Sequence, residues 1–199
     1  MEHRYLKQVR TWLGRGLPFF MLLNPPQARE LVQTGPVIVL TTLNKENKVD
    51  AATFAWVVSL SFKSAMLAVM VGEGRYTLEN IVTSKEFVVN IPSLDVLEKV
   101  YFVGSHSFRE IPDKVERAGF TTRPAQFLKT PKLKECIGWI ECRLKETIQE
   151  GDHNIVIGKI LGGEVKDELW QERFLVEKAH LLHHIGGRKF LVDGKVRVV

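Results

Sequence analysis

Polar and apolar positions along the chain change period several times, and the changes mark out its elements. From Pro36 the run PVIVLTTL is dense in β-branched residues, NKENK supplies a polar turn, and VDAATFAWVVSLSF continues as the second arm of a hairpin. MLAVMVG, Met66 to Gly72, is apolar throughout, as expected of a strand buried on both faces or one whose backbone lines a site. RYTLENIVTS then takes helical spacing, with a start expected near Thr77 and Leu78, Ile81 and Val82 on one face; KEFVVNIP returns to strand.

The stretch from Leu94 to Gly119 is more polar and helical, with SLDVLEKVYFVG and DKVERAGF joined by the loop SHSFREIP. In IECRLKETI the apolar Ile140, Cys142 and Leu144 alternate with Glu141, Arg143 and Lys145, and NIVIGKILGGEV follows the turn EGDH as the partner strand. KFLVDGKVRVV places Asp-Gly between two β-rich runs and predicts a C-terminal hairpin over residues 189–199. Residues 1–35 read as a helical lead-in: Tyr5, Leu6, Val9, Trp12 and Leu13 share a face, Pro25 and Pro26 break the chain, and ARELVQTG forms a short helix capped by Gly35. About seven strands with helices between them predict one mainly β domain over 1–199, an antiparallel barrel and not a doubly wound sheet.

The length of 199 residues suits a single core, which at this size buries about 70% of the unfolded surface. The net charge of +5 would suit nucleic acid, an anionic membrane or a phosphorylated small molecule. Lys and Arg are interleaved with Glu and Asp, as in KVERAGF, so the first two partners are not expected. LPFFMLL, Leu17 to Leu23, falls far short of the ~20 residues of a membrane span and lacks a cleavage site, so it reads as a buried element. Cys136 and Cys142, if on one strand, stand roughly 20 Å apart and cannot pair; two small core residues in a reducing, cytoplasmic setting are expected.

Candidate chemistry gathers between Asp50 and Asn80. GEGRYT, Gly72 to Thr77, lacks the third glycine of a dinucleotide fingerprint but joins a strand end, two glycines, Arg75 and a Thr able to cap the next helix. Backbone amides and a guanidinium would converge there on an anion such as phosphate; a plain capped helix start uses the same residues. On the neighbouring strand Ser59 and Ser61 are expected on one face, beside Trp56 and the small residues Ala51, Ala52, Thr53 and Ala55. These could admit a flat ligand or simply be tolerated strand residues. His153, beside Asp152, is a candidate site residue or a turn histidine, and His180, His183 and His184 have helical spacing but no Glu or Cys to complete a metal site, so no metal is expected.

The ordered blocks V-D-A-A-T-F-A-W-x-x-x-L-S-F, L-A-V-M-V-G-x-G-R-Y-T-x-E-N-I, E-F-V-V-N-I-P and E-G-D-H-x-x-x-x-G, with the closing HHIGGRKF, resemble the flavin reductase-like family of FMN-binding split barrels, of Greek-key type. The resemblance spans Pro36 to Gly163 and implies non-covalent FMN at a homodimer interface. It implies that the backbone of Phe54, Ala55 and Trp56 meets the N5 and O4 side of the flavin ring. Ser59 and Ser61 would lie near the ribityl chain or phosphate, Gly72, Arg75, Thr77 and Asn80 at the phosphate, and His153 near the flavin or nicotinamide as the one catalytic candidate. Phe54 and Ala55 stand where many relatives carry Ser or Thr, so a backbone N–H is the expected donor to N5. SFKSAM replaces the S-F-D-P-P-L common in the family, a change expected in the loop and not in the chemistry. Three functions follow: an NADH- or NADPH-dependent flavin reductase serving a flavin or ferric acceptor or a redox partner; a flavoredoxin-like electron carrier without its own NAD(P)H turnover; or a module binding another ligand.

Overall fold

The computed structural model describes residues 21, 23–61, 63–192, 194 and 196, and the chain divides into two compact units, Met1–Gln33 and Thr34–Val199. In the first, helix α1 (Pro25–Arg29) is opened by a capping box: the Asn24 side chain accepts from Gln27 N at 2.9 Å, and the Gln27 side chain accepts from Asn24 N at 3.1 Å. The two prolines therefore begin a helix where a break was expected. In the first turn a missing N–H leaves no helical hydrogen bond unmade. Gly35, expected as a cap, belongs to strand β1 (Gly35–Pro36). The pattern at Tyr5 to Leu13 and most of LPFFMLL lie outside the described residues.

The second unit continues through β2 (Ile38–Leu43), β3 (Val49–Phe54), β4 (Val57–Ser61), β5 (Met66–Gly72), α2 (Tyr76–Ser84), β6 (Glu86–Ile91), α3 (Leu97–Ser105), α4 (Lys114–Arg117), β7 (Thr122–Arg123), β8 (Lys132–Leu133), β9 (Gly138–Glu150) and β10 (His153–Val165). Seven of these strands pair antiparallel in the order β3-β2-β6-β9-β10-β5-β4. The hairpin expected from PVIVLTTL and its successor is β2–β3, but the second arm splits: β3 and β4 sit at opposite ends of the order with only Ala55 and Trp56 between them. Laid flat, seven strands at about 4.8 Å spacing would part the edges by about 29 Å. Three residue steps from Phe54 to Val57 reach at most about 11 Å. The sheet must therefore curl until its edges face each other across that link, a split barrel.

Both faces of β2 are buried, and its alternation sorts residues between two clusters. Ile38 and Leu40 point inward with Leu67, Val69, Val71, Ile81, Phe87, Val89 and Val156; Val37 and Val39 point outward with Val88, Val100, Val103, Val115 and Leu133. Helix α2 contributes Ile81 to the inner cluster, and α3 and α4 cover the outer one. Gly158 of β10 lies opposite a bulge of β9 at Lys145, and a Cβ there would come within 2.4 Å of Phe87 Cζ, so the large inner ring requires a glycine. Cys136 precedes β9 and Cys142 lies within it; both are buried free thiols that burial pushes up to about 12.

Beyond β10, short strands β11 (Trp170–Gln171) and β12 (Arg173–Phe174) pair, and α5 (Val176–Ala179) leads to β13 (His183–Gly186) and β14 (Lys189–Leu191), which join β1. This hairpin turns at Gly187. The one expected at Asp193-Gly194 falls largely outside the described residues. His180 caps α5 with φ 45° while His183 and His184 lie in β13, so the three histidines share no helical face. No helix among the described residues is long and apolar enough to cross a membrane.

Candidate functional site

The last residue of β5 and the first of β10, Gly72 and His153, lie opposite each other in the ladder. After Gly72 the chain turns tightly, with Arg75 N donating to Gly72 O at 3.3 Å and Glu73 N to Asp152 O at 2.9 Å. Gly74 takes φ +73°, a conformation that disfavours a Cβ, so this glycine is a requirement of the turn. A methyl placed on Gly72 would lie 3.7 Å from Arg75 Cγ, 3.8 Å from Arg75 Nε and 3.8 Å from His153 Nε2. The guanidinium arm and the imidazole thus flank one small backbone surface.

Trp56, in the link across the split, brings its ring centroid to 4.9 Å from that of His153, and its carbonyl accepts from Met70 N at 2.9 Å. On the other side of the imidazole, His153 Nδ1 lies 2.7 Å from Asp152 Oδ1. The carboxylate accepts, so Nδ1 carries the proton and the neutral ring has its lone pair at Nε2, the atom facing Gly72 and Arg75. Arg75 is exposed and no ion pair among the described residues engages its guanidinium. It also stands at the N-cap of α2, with no side-chain cap hydrogen bond, so the open helix start and the guanidinium present positive charge together.

The structure thus assembles Trp56, Gly72, Arg75 and His153, and it places the other candidates differently. Thr77 does not cap α2: it is buried in the first turn, and its hydroxyl donates to Asp50 Oδ2 at 3.1 Å. Asn80, equally buried, donates through Nδ2 to Thr42 Oγ1 at 3.1 Å. Both side chains fasten α2 to the sheet beneath it. Ser59 and Ser61 do not share a face. Leu60 is an extra residue in a bulge, and their ladder partners Leu67 and Met66 are consecutive residues that face opposite ways. The Ser61 hydroxyl accepts from Ser64 N at 3.1 Å, and Ser59 is exposed on the edge strand. Phe54 is half-buried against the inner cluster, and Ala55 precedes Trp56 in the link.

Local reading of the sequence missed a buried pair below the site. Lys114 and Asp50, 2% and 1% exposed, are joined at 2.9 Å from Nζ to Oδ1, an approach too poorly aligned to satisfy Oδ1 as a hydrogen bond. Lys114 Nζ also donates to His106 O at 2.9 Å and less closely to Val103 O at 3.4 Å. Asp50 therefore links β3 to Thr77 at the start of α2 and to α4. Nothing in DKVERAGF marks its lysine as a buried one; the signal exists only in the fold.

A guanidinium and an open helix start suit an anionic head group, and a tryptophan beside small backbone suits a flat aromatic body. A phosphate-bearing flavin has both parts. The family model described as "Flavin reductase like domain" matches residues 33–189. An uncharacterized protein of Archaeoglobus fulgidus is 31% identical over 150 residues, 75% of this chain and 84% of its own. Flavoredoxin from Methanosarcina acetivorans superposes with a TM-score of 0.81 at 21% identity, covering 92% of this chain and 95% of that one. An FMN-binding domain of a flavin reductases-like enzyme from Shewanella baltica gives 0.73 at 23% identity, covering 83% and 89%. These solved structures share the fold.

Proposed function

The chain belongs to the flavin reductase-like domain family, and on that premise we propose that it binds FMN non-covalently and works as an NADH- or NADPH-dependent flavin reductase. The observation that carries this reading is the convergence of Arg75, Gly72, His153 and Trp56 where β5 and β10 meet the start of α2. Arg75 and the first amides of α2 would hold the phosphate, with the Gly72 backbone admitting it closely and Thr77 and Asn80 keeping the helix in place. The backbone of Phe54, Ala55 and Trp56, at the split of the barrel, would lie along the flavin ring, with Ser59 on the rim.

FMN held by these residues would supply the redox chemistry of hydride transfer from a nicotinamide and of onward electron delivery to a second flavin, a ferric complex or a redox partner. The chain's own part is positioning. His153, its Nδ1 proton held by Asp152, presents Nε2 as an acceptor or, when protonated, a donor toward an incoming nicotinamide. No nucleophile or base is required of the protein. A homodimer fits the exposed Val58 and Leu60 on edge strand β4, which a second copy would cover. Buried free thiols fit a cytoplasmic setting.

The fold-level likeness to a flavoredoxin supports a second reading, an FMN electron carrier that does not oxidise NAD(P)H. Purified protein is expected to be yellow, and Arg75→Ala to weaken FMN retention by about 1.5–3 kcal/mol, the worth of a charge-assisted contact. Colourless protein that takes up no added FMN would end both readings. Mixing holoprotein anaerobically with NADH and with NADPH separates them: bleaching with either identifies a reductase, and none with both identifies the carrier.

A further inference from the structure

The turn that carries Arg75 is gripped from outside by a segment the proposed function does not use. Ser107 to Ile111 fold into a self-bonded turn: Glu110 N and Ile111 N donate to Ser107 O at 3.1 and 2.9 Å, and Arg109 N donates to Ser107 Oγ at 3.2 Å. The turn sends Phe108 inward, 7% exposed, and Arg109 outward. Phe108 stacks on Tyr76, the first residue of α2, with centroids 4.9 Å apart and planes within 8°. Asn44 Nδ2 donates to the Tyr76 hydroxyl at 3.1 Å from the opposite side.

Arg109 closes the arrangement. Its Nη1 donates to Gly74 O at 3.0 Å, its Nη2 forms a short ion pair with Glu79, and its guanidinium lies 5.2 Å from the Tyr76 ring centroid. One planar fork therefore holds the carbonyl of the positive-φ glycine just before Arg75, and the acidic side chain one turn into α2 just after it. Gly74 contributes no side chain of its own, and nothing within 4 Å would touch a Cβ there, so little else packs on the turn at that point. Turning the Gly74 peptide would re-aim the Arg75 amide and side chain together.

We infer that Arg109 is a positioning residue that fixes the Gly72–Arg75 turn in its phosphate-binding shape, so that the segment after α3 sets the preference for a phosphorylated flavin over an unphosphorylated one. The inference rests on the FMN reading above. It acts through Gly74 and Glu79, since both arms of the guanidinium are already engaged there. A residue that only held the fold together would weaken every flavin alike; one that shapes the phosphate turn would weaken FMN and leave riboflavin, which has no phosphate, untouched.

The test measures dissociation constants of FMN and riboflavin for the apoprotein, by flavin fluorescence, in the wild type and in Arg109→Ala, Arg109→Lys and Glu79→Gln, with thermal melts beside them. The expected result is a loss of FMN affinity of about tenfold in Arg109→Ala with riboflavin affinity unchanged, and a smaller loss in Arg109→Lys, whose single ammonium cannot span both partners. Glu79→Gln, which keeps the Gly74 contact, should fall between wild type and Arg109→Ala. Equal losses for both flavins, or no loss for either, would overturn the inference. If Arg109→Ala does not fold, Arg109→Lys decides by the same ratio. Wild-type protein that binds neither flavin would instead defeat the functional reading itself.

Discussion

Lys114 and Lys132 are both withdrawn from water, yet their carboxylate partners are arranged differently. Lys132 lies 2.6 Å from Glu141 and 2.5 Å from Glu164, and Arg123 reaches Glu164 at 2.5 Å from the other side. Glu141 accepts as well from Gln126 N at 2.9 Å and Phe127 N at 2.6 Å, so the loop between β7 and β8 is bonded to β9 and β10 through saturated charge. Lys114 has one carboxylate, Asp50, whose second oxygen goes to Thr77. The first group fastens a loop; the second ties β3, α4 and the end of α3 to helix α2, whose N-cap is Arg75. Buried charge of the same kind serves rigidity in one place and, on the proposed reading, registers the phosphate turn in the other.

Replacing each lysine by Met breaks the comparison most forcefully. Lys132→Met strands Glu141, 1% exposed, and should lower stability by about 3–5 kcal/mol in chemical denaturation while the folded fraction keeps its FMN affinity. Lys114→Met should cost stability comparably, through an uncompensated Asp50, and lose FMN affinity as well. Equal FMN affinity in the two variants would show that Asp50 does not register the turn.

Acid sharpens the contrast at smaller scale. Burial pushes the Glu141 carboxyl up, but Lys132 and the amides of Gln126 and Phe127 outweigh it and hold it below its ordinary 4.5. Lys132 and then Arg123 lower Glu164 as well. Groups with depressed folded values stabilise the protein fully above their unfolded values and cease to do so as pH falls through the folded ones. Melting temperature should therefore drop as pH is taken below about 4.5, with a shallower drop in Lys132→Met, where only the Gln126 and Phe127 amides still oppose the effect of burial on Glu141. The smallest effect is expected at Thr130, in the same loop, whose buried hydroxyl has no partner among the described residues. Thr130→Val should change stability by less than about 1 kcal/mol or raise it, since no hydrogen bond is lost.

The sequence carried the strands well because β2 and β6 are rich in β-branched residues, β5 is apolar throughout, and the hairpins β2–β3 and β9–β10 have polar turns at their tips. It carried the glycine turn and Arg75 because a strand end, two glycines and a helix start lie within six residues. It did not show that Ser59 and Ser61 diverge, since a bulge is a property of the pairing with β5 and leaves no mark on the strand itself. Nor did it show that Thr77 turns inward: its partner Asp50 is 27 residues away, and the lysine completing the set comes from beyond α3. Arg109 was hidden for the same reason, standing 35 residues from the carbonyl it holds.

The link at Ala55 and Trp56 also bears on how the barrel comes into being. Its two residues are neighbours along the chain, yet the strands they join stand at opposite ends of the sheet order, with five others paired between them. The hairpins β2–β3, β4–β5 and β9–β10 close short loops, whereas the β2–β6, β6–β9 and β5–β10 ladders close long ones, and rate falls as contacts grow more distant in sequence. The link therefore cannot seed folding. The hairpins on either side of the link are expected to form before the long-range ladders, with the groove at the split completed as the last ladder engages, an order that residue-by-residue folding kinetics would check.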